Sequence, residues 1–259
     1  MAEAVSVTPD GSRHPVTRQW VEEAPVAFEF NGIAYAVMMA TPSDLADFAV
    51  GFAVAEQLAV RAADVTDIAV AEVAQGWIVR AAIAGVGAER IGERVRARVA
   101  ESSCGLCGIE NLEALARPLP QVPAHCAIAP SAIFSGLAAL AANQALGRAT
   151  GAAHAAAWAD AAGRIDCVRD DVGRHNALDK LVGARLRAPA GLADGFVLST
   201  ARCSYEIVEK AVRAGATSLV TVSLPTSLAV ERAAACGLSL WALARPDSVL
   251  QVTTGNLKT

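Results

Sequence analysis

Two cysteines stand three positions apart in the stretch ESSCGLCGIE, Cys104 and Cys107, each followed by a glycine and both preceded by Ser102 and Ser103. Such a pair has three chemical uses. A structural zinc site takes four ligands, and this pair supplies half of them. His125 and Cys126 are the nearest candidates to complete it, but two adjacent side chains rarely reach one tetrahedral ion. A redox pair gains a lowered thiol pKa at a helix amino terminus, and GIENLEALA directly after the pair is a candidate helix. A sulfur carrier needs an exposed, mobile thiolate that visits two partners, and Gly105 and Gly108 give the loop that freedom. A resting pair is the weakest reading, because unreactive cysteines are usually buried and this stretch is polar and glycine-rich. Spacing alone does not order Cys104 and Cys107 by reactivity.

A second patch, DDVGRHNALDKLVG, gathers Asp170, Asp171, Arg174, His175, Asn176, Asp179 and Lys180 around the start of one amphipathic helix. Arg174, beside free backbone N–H groups at a helix amino terminus, suits a phosphate. His175 and Asp179 lie one turn apart, where a carboxylate can orient an imidazole. An ordinary solvated face with a capping aspartate would show the same charges.

The third patch joins STARCSYE and VSLPTSLAVE, which both place hydroxyl groups between the end of a strand and the start of a helix. In α/β sheets ligands settle at such carboxyl ends, so Ser199, Arg202, Ser204, Ser223 and Thr226 are candidates to line a nucleotide pocket. Either segment alone is also explained by helix capping; the recurrence at two strand ends points to a pocket. Cys167 and Cys236 read as core thiols, whereas Cys203 beside Arg202 would have a lowered pKa if exposed. His154, in an alanine-rich run, reads as an interior histidine rather than a ligand.

The elements that must position these residues follow from periodicity. PVAFEFNGIAYAVMMATP predicts two strands about an Asn31-Gly32 turn, and TPSDLADFAVGFAVAEQLA a helix capped by Thr41 or Ser43. VTDIAVAEV and WIVRAAI predict strands, while ERVRARVA suits strand or helix. Residues 1–20 are polar and without periodicity. Proline-rich PLPQVPAHCAIAP marks a linker, after which Ser131 is placed to cap a buried helix. Beyond it, AHAAAWADAAGRIDCVR reads as strand, turn, strand, and strands and helices alternate as expected for a layered α/β domain with partly parallel pairing. The chain divides accordingly into a smaller α+β lobe over 1–120, ending in the cysteine loop, and an α/β domain over 121–259.

Composition bounds the function. With 259 residues, 54% hydrophobic, the chain can bury a sizeable core. A net charge of −4 gives nucleic acid no global attraction, so any anionic ligand must be held by a local basic cluster. No apolar run reaches the length of a membrane span and the start lacks a secretory signal, which predicts a cytoplasmic protein whose six cysteines are thiols.

In this order, SSCGLCG, TGAAHAA, DDVGRHNALDK, STARCSYE and SLPTSLAVE resemble the formate dehydrogenase accessory sulfurtransferase family, FdhD. The resemblance runs from the NGIAYAVMM strand nearly to the end of the chain. It implies a three-layer α/β/α, cytidine-deaminase-like domain with a smaller lobe attached. It implies a sulfurtransferase that passes persulfide sulfur from a cysteine desulfurase to the molybdenum bis-molybdopterin guanine dinucleotide, held as client and not as a redox cofactor. The recipient of the finished cofactor would be the formate dehydrogenase catalytic subunit. Cys104 would bear the persulfide, with Cys107 as its partner. Arg174, His175, Asp179, Lys180 and the hydroxyl groups above would hold the guanine nucleotide halves. The loop Leu243, Ala244, Arg245, Pro246, Asp247 and Ser248 corresponds to a family segment implicated in cofactor binding, although Ser248 replaces a common basic residue. A homodimer is implied, with no structural metal, no nucleic acid and no membrane. A client-binding chaperone without sulfur chemistry is the alternative. A zinc deaminase, suggested by the fold alone, lacks its HxE and PCxxC ligands.

Overall fold

The computed structural model describes residues 2–99 and 117–258; the cysteine loop at 101–108 and the candidate helix after it lie outside the described residues. Strand β3 (Ala24–Phe30) and β4 (Ile33–Ala40) form the expected hairpin, with Asn31 at φ 50° and Gly32 at φ 78°, the pair of left-handed residues that a tight two-residue turn requires. With β5 (Val65–Val73) and β6 (Gly76–Ile83) they make a four-stranded sheet ordered β4-β3-β6-β5, in which only β3 and β6 run parallel. Helix α1 (Leu45–Ala55) packs Phe48 and Phe52 against Phe28, burying a phenylalanine cluster under this sheet. Of the ambiguous ERVRARVA segment, residues 93–99 are helical, within α2 (Ala88–Val99).

The second sheet has six strands in the order β12-β11-β10-β9-β7-β8. Its members are β7 (His154–Asp160), β8 (Ile165–Asp171), β9 (Gly195–Ser199), β10 (Ser218–Thr221), β11 (Ser239–Ala242) and β12 (Leu250–Thr253). Strands β9, β10 and β11 are mutually parallel, β7 is antiparallel to β9, and β8 is antiparallel to β7. Alternation along the strands splits the core in two. Trp158, Val197, Leu219 and Leu240 pack against α5 (Arg174–Arg187), α6 (Tyr205–Arg213) and α7 (Ser227–Cys236). Ala157, Leu198, Val220 and Trp241 pack against α3 (Pro130–Asn143), which is followed by the short α4 (Ala145–Thr150). Among the described residues no helix is long and apolar enough to cross a membrane.

Two local expectations, both at helix caps, are corrected, and the segment without periodicity is ordered. In residues 2–18, β1 (Ala2–Val7) and β2 (Arg13–Arg18) pair antiparallel around a turn in which Asp10 accepts hydrogen bonds from Ser12 and Gly11 sits at φ 85°. Most of this hairpin is exposed, so its strands carry no alternating apolar signal. The cap of α1 is Asp44, not Thr41 or Ser43; Thr41 is spent on a buried network described below. Helix α3 is preceded by Ala129, not capped by Ser131, because Pro130 starts the helix and holds the residue before it extended.

The two sheets meet through α1 and α5. Gly51 of α1 lies against the Asp179 carbonyl and Gly183 of α5 against the Asp47 carbonyl, so the helix backbones touch where neither chain has a side chain. Around this crossing, Asp47 pairs with Arg169 and Arg187, both at 2.6 Å.

Candidate functional site

Strand direction assembles the site. Because β8, β9, β10 and β11 point the same way and β7 starts where they finish, one end of the sheet collects the loops after four strands together with His154. The amino termini of α5, α6 and α7 open at that end, and each presents unpaired backbone N–H groups and a partial positive charge. The strand ends and helix amino termini that carry the predicted pocket residues thus lie at one end of the sheet.

Arg174 is the first residue of α5 and is held there by Asp171. One Asp171 oxygen accepts from the Gly173 N–H (2.6 Å) and Asn176 Nδ2 (3.0 Å), closing the turn that launches the helix. The other accepts from the Thr41 N–H (3.1 Å) and pairs with Lys180 Nζ (2.6 Å). Lys180 donates to the Thr41 carbonyl (2.7 Å), and the Val172 N–H donates to Thr41 Oγ1 (3.2 Å). Both Asp171 and Lys180 have 0% side-chain exposure. A buried pair adds little net stability but is costly to break, which makes it a device for fixing geometry. Lys180 therefore holds the Arg174 turn from within the fold, with no exposed surface of its own.

The expected pairing of His175 with Asp179 is corrected. Asp179 is buried and ion-paired with Lys210 at 2.6 Å. The carboxylate beside His175 is Glu206 of α6, whose Oε2 lies 3.1 Å from Nε2, at an ion-pair distance though without good hydrogen-bond alignment. The imidazole holds the Glu206 carboxyl below its ordinary pKa. The signal for this partner was absent from local spacing, since His175 and Glu206 meet only through the packing of α5 on α6.

The hydroxyl candidates divide into two kinds. Ser199 is buried and accepts from the Ala201 N–H, and Thr226 caps α7 by accepting from the Ala229 N–H. Both serve the backbone. Ser223 offers its carbonyl to Thr221 Oγ1 and to the Leu243 N–H, tying the loops after β10 and β11. Ser204 precedes α6 but makes no capping bond, and its Oγ is buried with no partner among the described residues. Arg174 Nε is in the same condition. Unpaired buried donors are rare and ask for a ligand, water or ion; here both lie at the same end of the sheet, while Arg202 is exposed beside them.

The loop after β11 completes this rim. Leu243 adopts a left-handed φ of 49°, Ala244 is buried, and Arg245, Pro246, Asp247 and Ser248 are exposed. A short turn closes it, with the Arg245 N–H donating to the Ser248 carbonyl at 2.8 Å. The Arg245 guanidinium donates to the carbonyls of Val222 and Ala244, so it staples adjacent loops.

His154, read as interior, is half-buried at the start of β7, opposite Asp171. Burial, then the positive charges of Arg174 and Arg202, lower its pKa. Cys203, read as reactive if exposed, has 0% exposure, and burial pushes its thiol up to about 11. An alkylating reagent at mildly alkaline pH should therefore modify exposed Cys126 and spare Cys203 in the native protein. Labelling of Cys203 at the Cys126 rate, read by peptide mass spectrometry, would contradict this burial.

A family model described as the FdhD/NarQ family matches residues 21–256. The sulfur carrier protein FdhD of Bordetella petrii is 44% identical over 224 residues, covering 86% of this chain and 81% of that protein. Its namesake from Variovorax paradoxus is 44% identical over 237 residues, covering 91% and 85%. That from Xanthomonas euvesicatoria is 45% identical over 223 residues, covering 86% and 79%. The fold matches the crystal structure of a candidate formate dehydrogenase accessory protein from Desulfotalea psychrophila with a TM-score of 0.75 and 24% identity, over 98% of this chain and 96% of that one.

Proposed function

Because the chain belongs to the FdhD/NarQ family, we propose that it is a sulfur carrier in formate dehydrogenase maturation. A cysteine desulfurase persulfide is the donor and the molybdenum bis-molybdopterin guanine dinucleotide is the client. The observation that carries the sulfur role is the shared identity, over most of the chain, with proteins named sulfur carriers. In the first step a thiolate of the Cys104/Cys107 pair attacks the terminal sulfur of the donor persulfide. The donor's S–S bond breaks, its cysteine leaves as a thiolate, and the carrier acquires a persulfide. The enzyme is in this sense a sulfurtransferase.

Support for the anionic client comes from the end of the six-stranded sheet. Phosphates of a guanine dinucleotide find there three helix amino termini, the Arg174 and Arg202 guanidiniums and the unpaired Ser204 hydroxyl. Helices on both faces of that sheet are consistent with the three-layer, cytidine-deaminase-like domain implied by the sequence. We place the protein in the reducing cytoplasm, where its thiols persist, and as a homodimer that hands the sulfurated client to the formate dehydrogenase catalytic subunit.

The test is intact-protein mass spectrometry after incubation with a cysteine desulfurase and cysteine. Wild type should gain the mass of one sulfur atom, and the gain should vanish in Cys104→Ala or Cys107→Ala, which also identifies the acceptor thiol. No gain, with guanine nucleotide binding intact, would replace the carrier by a client-binding chaperone.

A further inference from the structure

We propose that His154 is a proton-linked phosphate contact of this site: its imidazole carries more proton when an anion is bound than when the site is empty. The inference rests on reading the sheet end as an anion site and adds to it a residue and a pH dependence.

Position carries the argument. His154 opens β7 between the carboxyl ends of β8 and β9, paired in register with Asp171. The neighbouring Ala155 is clamped to Thr200, whose Oγ1 accepts the Ala155 N–H at 2.8 Å while the Thr200 N–H donates to the Ala155 carbonyl at 3.0 Å. The backbone is thus fixed, yet the ring nitrogens have no hydrogen-bond partner among the described residues. The charges that act on the ring are those of Arg174 and His175 from α5, Arg202 from the loop after β9, and Asp171, its register partner on β8. His175 lies 3.1 Å from the Glu206 carboxylate. Asp171 is already shared among Lys180, the Thr41 and Gly173 N–H groups and Asn176. What remains around His154 is an excess of positive charge with an unpaired imidazole in it.

In the empty site, burial and the two arginines hold the imidazole pKa below its ordinary value. A bound phosphate offsets the arginines and supplies an acceptor, so the bound-state pKa rises. The sign follows: affinity is highest below the free-state pKa, falls as pH rises towards the bound-state pKa, and is flat above it.

Diguanosine diphosphate, a diester whose phosphates stay ionised throughout this range, is the probe. Titration calorimetry should show binding weakening several-fold between pH about 5.5 and about 8.5. Measurements in buffers of different ionisation enthalpy should show proton uptake on binding. His154→Gln, with an unchanged melting temperature, should bind with a flat pH profile and no proton uptake. An unchanged slope and uptake in His154→Gln overturn the inference while leaving the anion site standing, as does a flat wild-type profile. Absence of binding by wild type at every pH overturns both.

Discussion

Alanine in place of both Arg174 and Arg202 should abolish client binding while leaving the protein folded. Each guanidinium is placed to make charge-assisted hydrogen bonds worth about 1.5–3 kcal/mol to a phosphate, so losing both should weaken a guanine nucleotide diphosphate by about a hundredfold or more. The fold should tolerate the change for specific reasons. Arg202 is exposed, and Arg174 Nε has no partner to abandon among the described residues. Asp171, Asn176 and Lys180, which shape the turn, are untouched. Calorimetric titration with guanosine diphosphate, alongside a melting curve, reads both quantities. Equal affinity in the double variant would show that the phosphates bind elsewhere. The sulfur-loading reaction gives a contrast: if loading concerns only the cysteine pair and the desulfurase, the same variant should still gain sulfur while failing to mature formate dehydrogenase in cells.

How much of this site could be read in the sequence depended on how local its determinants are. The Asn31-Gly32 hairpin and the strand-helix alternation of residues 195–242 are written within a few residues each, and they appear as expected; Thr226, a candidate for the pocket, forms the helix cap that its segment also allowed. The β1–β2 hairpin was also locally encoded, by the Thr8-Pro9-Asp10-Gly11 turn, but strands exposed on both faces have no alternation to recognise. The harder part was the partner of each polar group. Lys180, Asp179 and His175 share one helix and looked like one cluster. Packing sends them in different directions, to Asp171, Lys210 and Glu206. Spacing along a helix sets which side chains are neighbours on its surface, but not what the next element brings against them. His154 makes the same point from the other side. Its alanine-rich surroundings correctly signal a buried strand, and only the strand order reveals that it is the residue at which that strand enters the site.

The crossing of α1 and α5 links this geometry to stability, and it carries the largest expected effect on the fold. A methyl group added at Gly183 would stand 1.8 Å from the Asp47 carbonyl oxygen, and one at Gly51 would stand 1.7 Å from that of Asp179. Neither obstacle is a side chain that can turn away. Within a helix, glycine to alanine normally stabilises by about 1 kcal/mol. Here the backbones must separate, so Gly183→Ala should instead destabilise by about 3 kcal/mol or more, and Gly183→Val should cost more still. Gly87→Ala, where an added methyl meets nothing within 4 Å, is the control and should be near neutral. Urea denaturation distinguishes the cases; Gly183→Ala as stable as Gly87→Ala would mean that the helices do not touch there. The consequence reaches the site because separation of α1 from α5 draws Thr41 away from Asp171 and Lys180. That leaves a buried pair without the backbone groups that complete it, and the turn that presents Arg174 loses its support. Gly183→Ala should therefore lose guanine nucleotide affinity even under conditions where it remains folded, although Gly183 lies at the helix crossing and not on the rim that carries Arg174 and Arg202.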